Sequence, residues 1–432
     1  MLAHECGFWD AVGQALQSRG MALRLITHNI VKGSMRTPYV QVSNGLDAIA
    51  PTDRLGDVPS WLDVDALLAR EALWRGGARN ASHEAQRIRA LGLYARLYET
   101  LVQVSEPGLC VIWNGHHPQE MVLRGVCERH EIPTLWLERG PIPGTLQLDD
   151  VGVLGGSSVA SLRARCESGA EWIERARDVA TGLSRSAWEQ PASRGGEELR
   201  RRLGIRESEN VVLFAGQVDS DAQSFLYGCG GSNEAAFGRF LDALSTRDGV
   251  FVIGKHHPRS DIAGSVYSER LRGRRGIWLE DVSIHDCLEA CDRVACVNST
   301  VMYEALCVGK PVMSMGMSVL SGKGIAYRFG VDAIESWLGA SGRESRSERW
   351  IEYLAFLLEH HLFAMCPDEG ARGLRAASGF ADAILSRVSH QNPMATHGVI
   401  DEDVLSGWTG FGAIGGTSET WDEVKPRVVA GV

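Results

Sequence analysis

A chain of 432 residues, 44% hydrophobic and 23% charged, has the make-up of a globular protein built on about two full-sized domains. Its formal net charge of −10 and pI near 5.8 lack the basic footprint of a nucleic-acid binder, so no nucleic-acid partner is expected. The local run Arg270, Arg272, Arg274 and Arg275 reads as a solvated loop. Ten cysteines contain no CxxC pair. The closest, Cys287, Cys291 and Cys296, lack the paired CxxC spacing of a zinc set, so all ten read as structural thiols of a reducing compartment. The opening MLAHECGFWDAV lacks the basic and apolar regions of a signal peptide, and no apolar run is long enough to span a bilayer. A cytoplasmic chain is expected.

Residues 8–19 have helical spacing and stop at Gly20, and LRLITHN (23–29) reads as a strand. Residues 60–105 carry Leu, Ala and Arg at helical spacing. CVIWNG (110–115) is a short apolar run closed by glycine, 121–132 is helical, and PTLWLERG (133–140) is the next strand with its loop. Together they form one β-α-β unit of a parallel sheet, with polar residues at the strand ends where open α/β sheets hold ligands. The charged helical stretch 160–203 is broken by Pro191 and Gly195-Gly196 and reads as a linker. Alternation resumes at VVLFAGQ (211–217) and runs through helix 234–247, FVIGKHHP (251–258), GIWLED (276–281), helix 285–291, RVACVNS (293–299), helix 300–309 and KPVMSMG (310–316). That pattern predicts a second parallel sheet with right-handed crossovers. Residues 347–365 and 371–388 return as helices, and the tail after 391 has no period. The fold class is therefore α/β, with two Rossmann-like domains, a ligand cleft between them, and C-terminal helices packing back. The boundaries fall at 1–190, 191–345, 346–390 and 391–432.

The chemistry concentrates at strand ends. A strand stops at Asn298 and a helix starts near Thr300, where free N–H groups and the helix dipole favour an anion. Ser299 and Thr300 add hydroxyl donors; the alternative is ordinary capping. Lys255, His256 and His257 follow a strand of the same sheet and so reach the same rim. A cation or imidazole there would neutralise a phosphate and protonate it as it leaves. Glu304, one turn into the helix, would bind ribose hydroxyls, or is simply an exposed helical carboxylate. In GQVDSDAQSF (216–225), Gln217 counts with the phosphate side, and Asp219 and Asp221 stand two apart. One would serve as nucleophile or base, both would bind a divalent ion, or both are turn formers. Asn114, His116 and Glu138 sit at two adjacent strand ends of the first domain and would line an acceptor or sugar pocket. The two His-His-Pro runs suggest a metal hydrolase, but adjacent loop histidines rarely face one ion and no HExxH is present, so no metal is assigned.

The order GQVDSD…KHHP…VNSTVMYEALCVGKPV, with NG before a helix, then ERG and DDVG (149–152), resembles the capsular-polysaccharide biosynthesis family, which includes retaining β-Kdo transferases. The resemblance covers roughly residues 110–330. It implies a GT-B-like enzyme with an acceptor-side first domain and a nucleotide-sugar second domain. The implied reaction moves a sugar, typically Kdo, from a CMP-linked donor to a saccharide or glycolipid acceptor, with no cofactor. It implies that His257, Ser299 and Thr300 contact the CMP phosphate. It also implies that Asp221, at the matching position of the Gln-Val-x-x-Asp segment, attacks the anomeric carbon, and that Glu138 is acid/base or acceptor contact. Met302 before EAL, KHHP in place of KPHP, and the loop MSVLSGKGIAYRF (317–329) depart from the pattern. A CMP-sialate or CDP-alcohol transferase and a non-catalytic GT-B-like binding protein are the rival readings. A lipid-linked acceptor would bring peripheral association with the inner membrane face, through a basic amphipathic face within 60–105.

Overall fold

The computed structural model describes residues 3–27, 35–41, 58–74, 81–161, 168–183, 193–219, 221–228, 231–260, 262–330, 332–340, 346–365 and 376–390. The expected tail after 391 lies outside them. The chain forms two compact units. Among the described residues, the first takes everything up to Ser158, the helix Ala170–Leu183, and everything from Trp350 on; the second takes Val159–Ser161 and Ser193–Arg349.

The first unit opens with the helix Ala3–Gln17 and a small parallel pair, β1 (Leu25–Thr27) and β2 (Tyr39–Gln41). The stretch read as helical over 60–105 contains two helices, Val64–Trp74 and Ala81–Ser105. Strand β3 (Cys110–Trp113), the helix Pro118–Arg129 and β4 (Thr134–Arg139) make the predicted β-α-β unit, with β3 and β4 parallel. Strand β5 (Thr145–Asp149) then turns back antiparallel to β4. Leu135 and Leu137 on β4, and Leu146 and Leu148 on β5, face a core with Phe8, Val12, Phe363 and Phe380, while Ile112, Trp136 and Val153 cluster separately. The alternation along each strand assigns residues to the two faces.

In the second unit, β6 (Asn210–Ala215), β7 (Val250–Lys255), β8 (Gly276–Leu279), β9 (Arg293–Cys296), β10 (Val312–Ser314) and β11 (Tyr327–Arg328) form one sheet. Its order is β11-β10-β9-β6-β7-β8, and every pairing is parallel, as predicted. Phe214, Phe237, Phe240, Tyr267, Trp278 and Trp337 anchor its core, and Tyr267 stacks on Trp278 with centroids 4.1 Å apart. Each such burial is worth roughly 1.5–3 kcal/mol, far more than any exposed ion pair in the unit. The arginine run is largely a solvated turn, as expected. Arg270 ends the helix Gly264–Arg270, and the four arginines pair with Glu234, Glu269, Asp242 and Glu209 respectively. Cys287, Cys291 and Cys296 are buried, and burial pushes each thiol up to about 12.

The chain then returns to the first unit. The helix Arg346–His360 ends sooner than predicted, because β12 (Leu362–Ala364) adds antiparallel to β5. The helix Ala377–His390 packs Phe380 and Ile384 into the same core as Phe8 and Val12. The first sheet is therefore mixed, ordered β12-β5-β4-β3, rather than parallel throughout. Among the described residues, no helix is long and apolar enough to cross a membrane.

Candidate functional site

In the second unit, Ala215 is in register with both Lys255 and Cys296. The chain thus leaves β6, β7 and β9 at one level. Because β6 lies between the other two, the Gln217–Asp221 loop emerges between the histidine loop and Asn298–Thr300. The shared rim read from the sequence is present.

Side-chain roles within that rim divide. Gln217 Nε2 donates to Asn298 Oδ1 at 2.8 Å, and the Asn298 N–H donates back to Gln217 Oε1 at 2.7 Å. Asn298 Nδ2 also donates to the Gln223 carbonyl at 3.0 Å. Both residues therefore brace the loops. Lys255 Nζ donates to the carbonyls of His256 (2.7 Å) and Glu280 (2.9 Å), and burial pulls its amine below the ordinary lysine value. Asp219 is buried and accepts from Ser260 Oγ and Tyr267 OH, each at 3.0 Å. It ties the β6 loop to the histidine loop and the helix Gly264–Arg270.

The histidines are oriented from behind. His256 Nδ1 accepts from Trp278 Nε1 at 3.2 Å, and His257 Nδ1 accepts from the Arg259 N–H at 3.1 Å. In each ring the proton of the neutral form then belongs on Nε2. Burial, with Arg259, Lys255 and His256 nearby, holds His257 below the usual imidazole value. It is a neutral N–H donor at pH 7. Asp221 is exposed and caps the helix Ala222–Tyr227 by accepting from the Gln223 N–H at 2.9 Å.

The start of the helix Val301–Cys307 is more engaged than expected. Val301 N–H donates to Ser299 Oγ (3.3 Å), Met302 N–H to the Ser299 carbonyl (3.1 Å), and Tyr303 N–H to the Thr300 carbonyl (2.9 Å). Thr300 is exposed and its hydroxyl makes no capping bond. An anion here would be met by side chains more than by open amides. Glu304 is not an exposed helical glutamate: it is 9% exposed, and its Oε2 has no hydrogen-bond partner among the described residues. Burial raises its carboxyl to about 7.

The first unit carries a second polar rim. Asn114 is left-handed (φ 59°), and its Nδ2 donates to Glu138 Oε2 at 2.6 Å. Glu138 Oε1 accepts from the Arg139 N–H at 2.8 Å. His116 is buried; its N–H donates to Asn114 Oδ1 at 3.1 Å, and its Nδ1 accepts from Arg70 Nη2 at 3.2 Å. Burial, then Arg70 and His117, push its imidazole down to about 3, so it stays neutral. Two residues were given no role from the sequence, although one opens the DDVG segment. Asp149, fully buried, accepts from the N–H groups of Val151, Gly152 and Ser158 and from Ser158 Oγ, and so organises the loop after β5. The Asp-x-x-Gly turn spelling was its signal. Glu120 accepts from the Gly115 N–H at 2.8 Å and the His117 N–H at 3.3 Å. Its signal was a glutamate three residues past a helix cap. Among the described residues, no group of three or more His, Cys, Asp or Glu is placed to hold a metal ion.

Residues 176–357 match the family model described as capsule polysaccharide biosynthesis protein. Protein FixF of Sinorhizobium fredii is 27% identical over 287 residues, which are 64% of this chain and 66% of that protein, just under two thirds of its length. Among solved structures, the β-Kdo 2,7 transferase of Thermosulfurimonas dismutans KpsC is similar at 17% identity over 67% of this chain and 89% of that one, with a TM-score of 0.44. The glycosyltransferase SnogD of Streptomyces nogalater is similar at 14% identity over 88% and 95%, with a TM-score of 0.31.

Proposed function

We infer that this chain, which carries the capsule polysaccharide biosynthesis pattern over residues 176–357, is a glycosyltransferase that takes its sugar from a CMP-linked donor. The observation that supports the reading most is the rim order of the second unit. The Asp221 loop leaves β6 between the loop bearing His257 and the segment bearing Ser299, Thr300 and Glu304.

Each group then has a task its surroundings suit. His257 presents Nε2–H toward a leaving phosphate as a neutral donor, with Ser299 and Thr300 hydroxyls as further donors. Glu304, whose Oε2 lacks a partner, accepts from ribose hydroxyls. The Asp221 carboxylate attacks the anomeric carbon; the bond to the phosphate oxygen breaks, and its electron pair leaves with CMP. An acceptor hydroxyl, passing its proton to a base on the acceptor side, then displaces Asp221, which returns as a carboxylate, so the linkage is retained overall. Glu138 in the first unit is the acceptor-side carboxylate. Donor phosphate oxygens are hydrogen-bonded by the His257, Ser299 and Thr300 side chains, and no metal or cofactor is assigned a step. Kdo is the sugar that the sequence resemblance favours, with a saccharide or glycolipid as acceptor.

The test is to incubate the chain with CMP-Kdo and CMP-sialate, follow CMP release, and weigh the intact protein for a sugar adduct mapped to Asp221. Asp221→Ala should still bind CMP but form no adduct. Full transfer by that variant would remove Asp221 from the mechanism.

A further inference from the structure

The first-unit rim contains a relay that the proposed reaction does not yet use. Asn114 and Gly115 are consecutive left-handed residues, at φ 59° and 79°. Asparagine tolerates that conformation and glycine adopts it freely. At Gly115 nothing else fits, because a Cβ would lie 2.1 Å from the Trp136 ring. The turn aims the amides of Gly115 and His117 at one oxygen. Glu120, in the first turn of the helix Pro118–Arg129, supplies it, with Oε2 at 2.8 and 3.3 Å. The turn also sends Asn114 across to β4. Asn114 Nδ2 holds Glu138 Oε2 at 2.6 Å, and Asn114 Oδ1 is fixed in turn by the His116 N–H at 3.1 Å.

We propose that Glu120 is the positioning residue of this rim: through the Gly115 and His117 amides it fixes Asn114, and Asn114 fixes the Glu138 carboxylate for its work on the acceptor. The proposal rests on the reading of Glu138 as the acceptor-side carboxylate. Glu120 touches no substrate in this scheme. What it contributes is one acceptor oxygen in a fixed place, and a glutamine supplies the same oxygen. Burial, opposed by these amides and helped by Glu138, raises the Glu120 carboxyl to about 8, so at neutral pH it adds little charge beside Glu138.

The experiment compares Glu120→Gln, Glu120→Ala and Asn114→Ala in the full chain, by crystal structure and by transfer kinetics with CMP-Kdo and a saccharide acceptor. Glu120→Ala should release the turn and break the Asn114–Glu138 contact. It should lower kcat by roughly 10- to 100-fold, the scale of a misplaced reacting group. The donor kcat/KM should stay unchanged, since adduct formation precedes the acceptor step and the donor groups lie in the other unit, and Glu120→Gln should restore both contact and rate. A helix cap with no further role would lower the melting temperature and leave kcat and the Asn114–Glu138 contact intact, which overturns the proposal. If Glu120→Ala does not fold, Asn114→Ala still removes the contact to Glu138, together with the bond from the His116 N–H, and an unchanged kcat there overturns the proposal equally. If the unaltered chain transfers nothing from any CMP-linked sugar, the proposed function falls, and the variant crystal structures still decide the relay.

Discussion

Gln217 and Asn298 hold each other through two reciprocal hydrogen bonds, at 2.8 and 2.7 Å, across 81 positions of sequence. One comes from the end of β6 and the other from the end of β9, the two strands whose loops carry Asp221 and Ser299. The pair sets how far apart those loops stand. Gln217→Ala would leave the Asn298 N–H and Oδ1 without this partner, at an expected cost of about 1–3 kcal/mol. Asn298→Ala should cost a similar amount, and the double variant clearly less than both together. Urea unfolding of the three proteins measures this. Strict additivity would show that the two amides do not act as a pair.

Glu304 gives the second unit a pH dependence of definite sign. Its carboxyl has an ordinary value of 4.5 and sits at about 7 in the folded chain because it is buried. Below pH 4.5 it is protonated whether the chain is folded or not, and it costs nothing. As pH rises, the unfolded chain ionises first, so stability falls through the window from 4.5 to about 7. Above that the penalty is complete, at roughly 3 kcal/mol. Glu304→Gln should match the unaltered protein near pH 4.5 and melt at a higher temperature near pH 8. Parallel melting curves for the two proteins across that window would show that Glu304 is not desolvated.

The parts of this site legible in the sequence were those fixed by strand periodicity. KHHP and NST each follow a buried apolar run in a regular alternation, and parallel strands place all such ends on one rim. What a polar residue does there depends on partners far along the chain. Lys255 reaches the Glu280 carbonyl, Asp219 reaches Tyr267, and no local pattern announces either contact. Thr145–Asp149 and Leu362–Ala364 were missed as strands for a different reason. Three to five apolar-rich residues carry too little periodicity to separate strand from helix end or loop, and their pairing partner decides. Glu120 and Asp149 left local signals, but capping glutamates and turn aspartates are common enough that only the geometry gives them weight.

Gln147 lies mid-strand on β5, opposite Glu138 in register and 1% exposed. Among the described residues, neither its Nε2 nor its Oε1 has a hydrogen-bond partner. A buried amide without partners is a standing cost, and an apolar side chain of the same shape avoids it. Gln147→Met, which nearly conserves volume, should stabilise the first unit by about 1–3 kcal/mol. Thermal melting reads this directly. A clear loss of stability would show that the amide has partners in solution.

Asp221 has two jobs that a pair of substitutions separates. Its Oδ1 accepts the Gln223 N–H at 2.9 Å and caps the helix Ala222–Tyr227. The proposed chemistry asks the same carboxylate to attack a sugar. Asparagine caps as well as aspartate, whereas alanine removes the cap at about 1 kcal/mol. Asparagine is no substitute as a nucleophile, since its amide lacks the negative charge that attacks and later leaves. Asp221→Asn should therefore melt with the unaltered protein and bind CMP as it does, yet form no sugar adduct. Asp221→Ala should be less stable and equally inactive. If Asp221→Asn keeps full transfer while Asp221→Ala loses it, the residue acts through the helix it caps, and the nucleophile must be sought elsewhere on the rim.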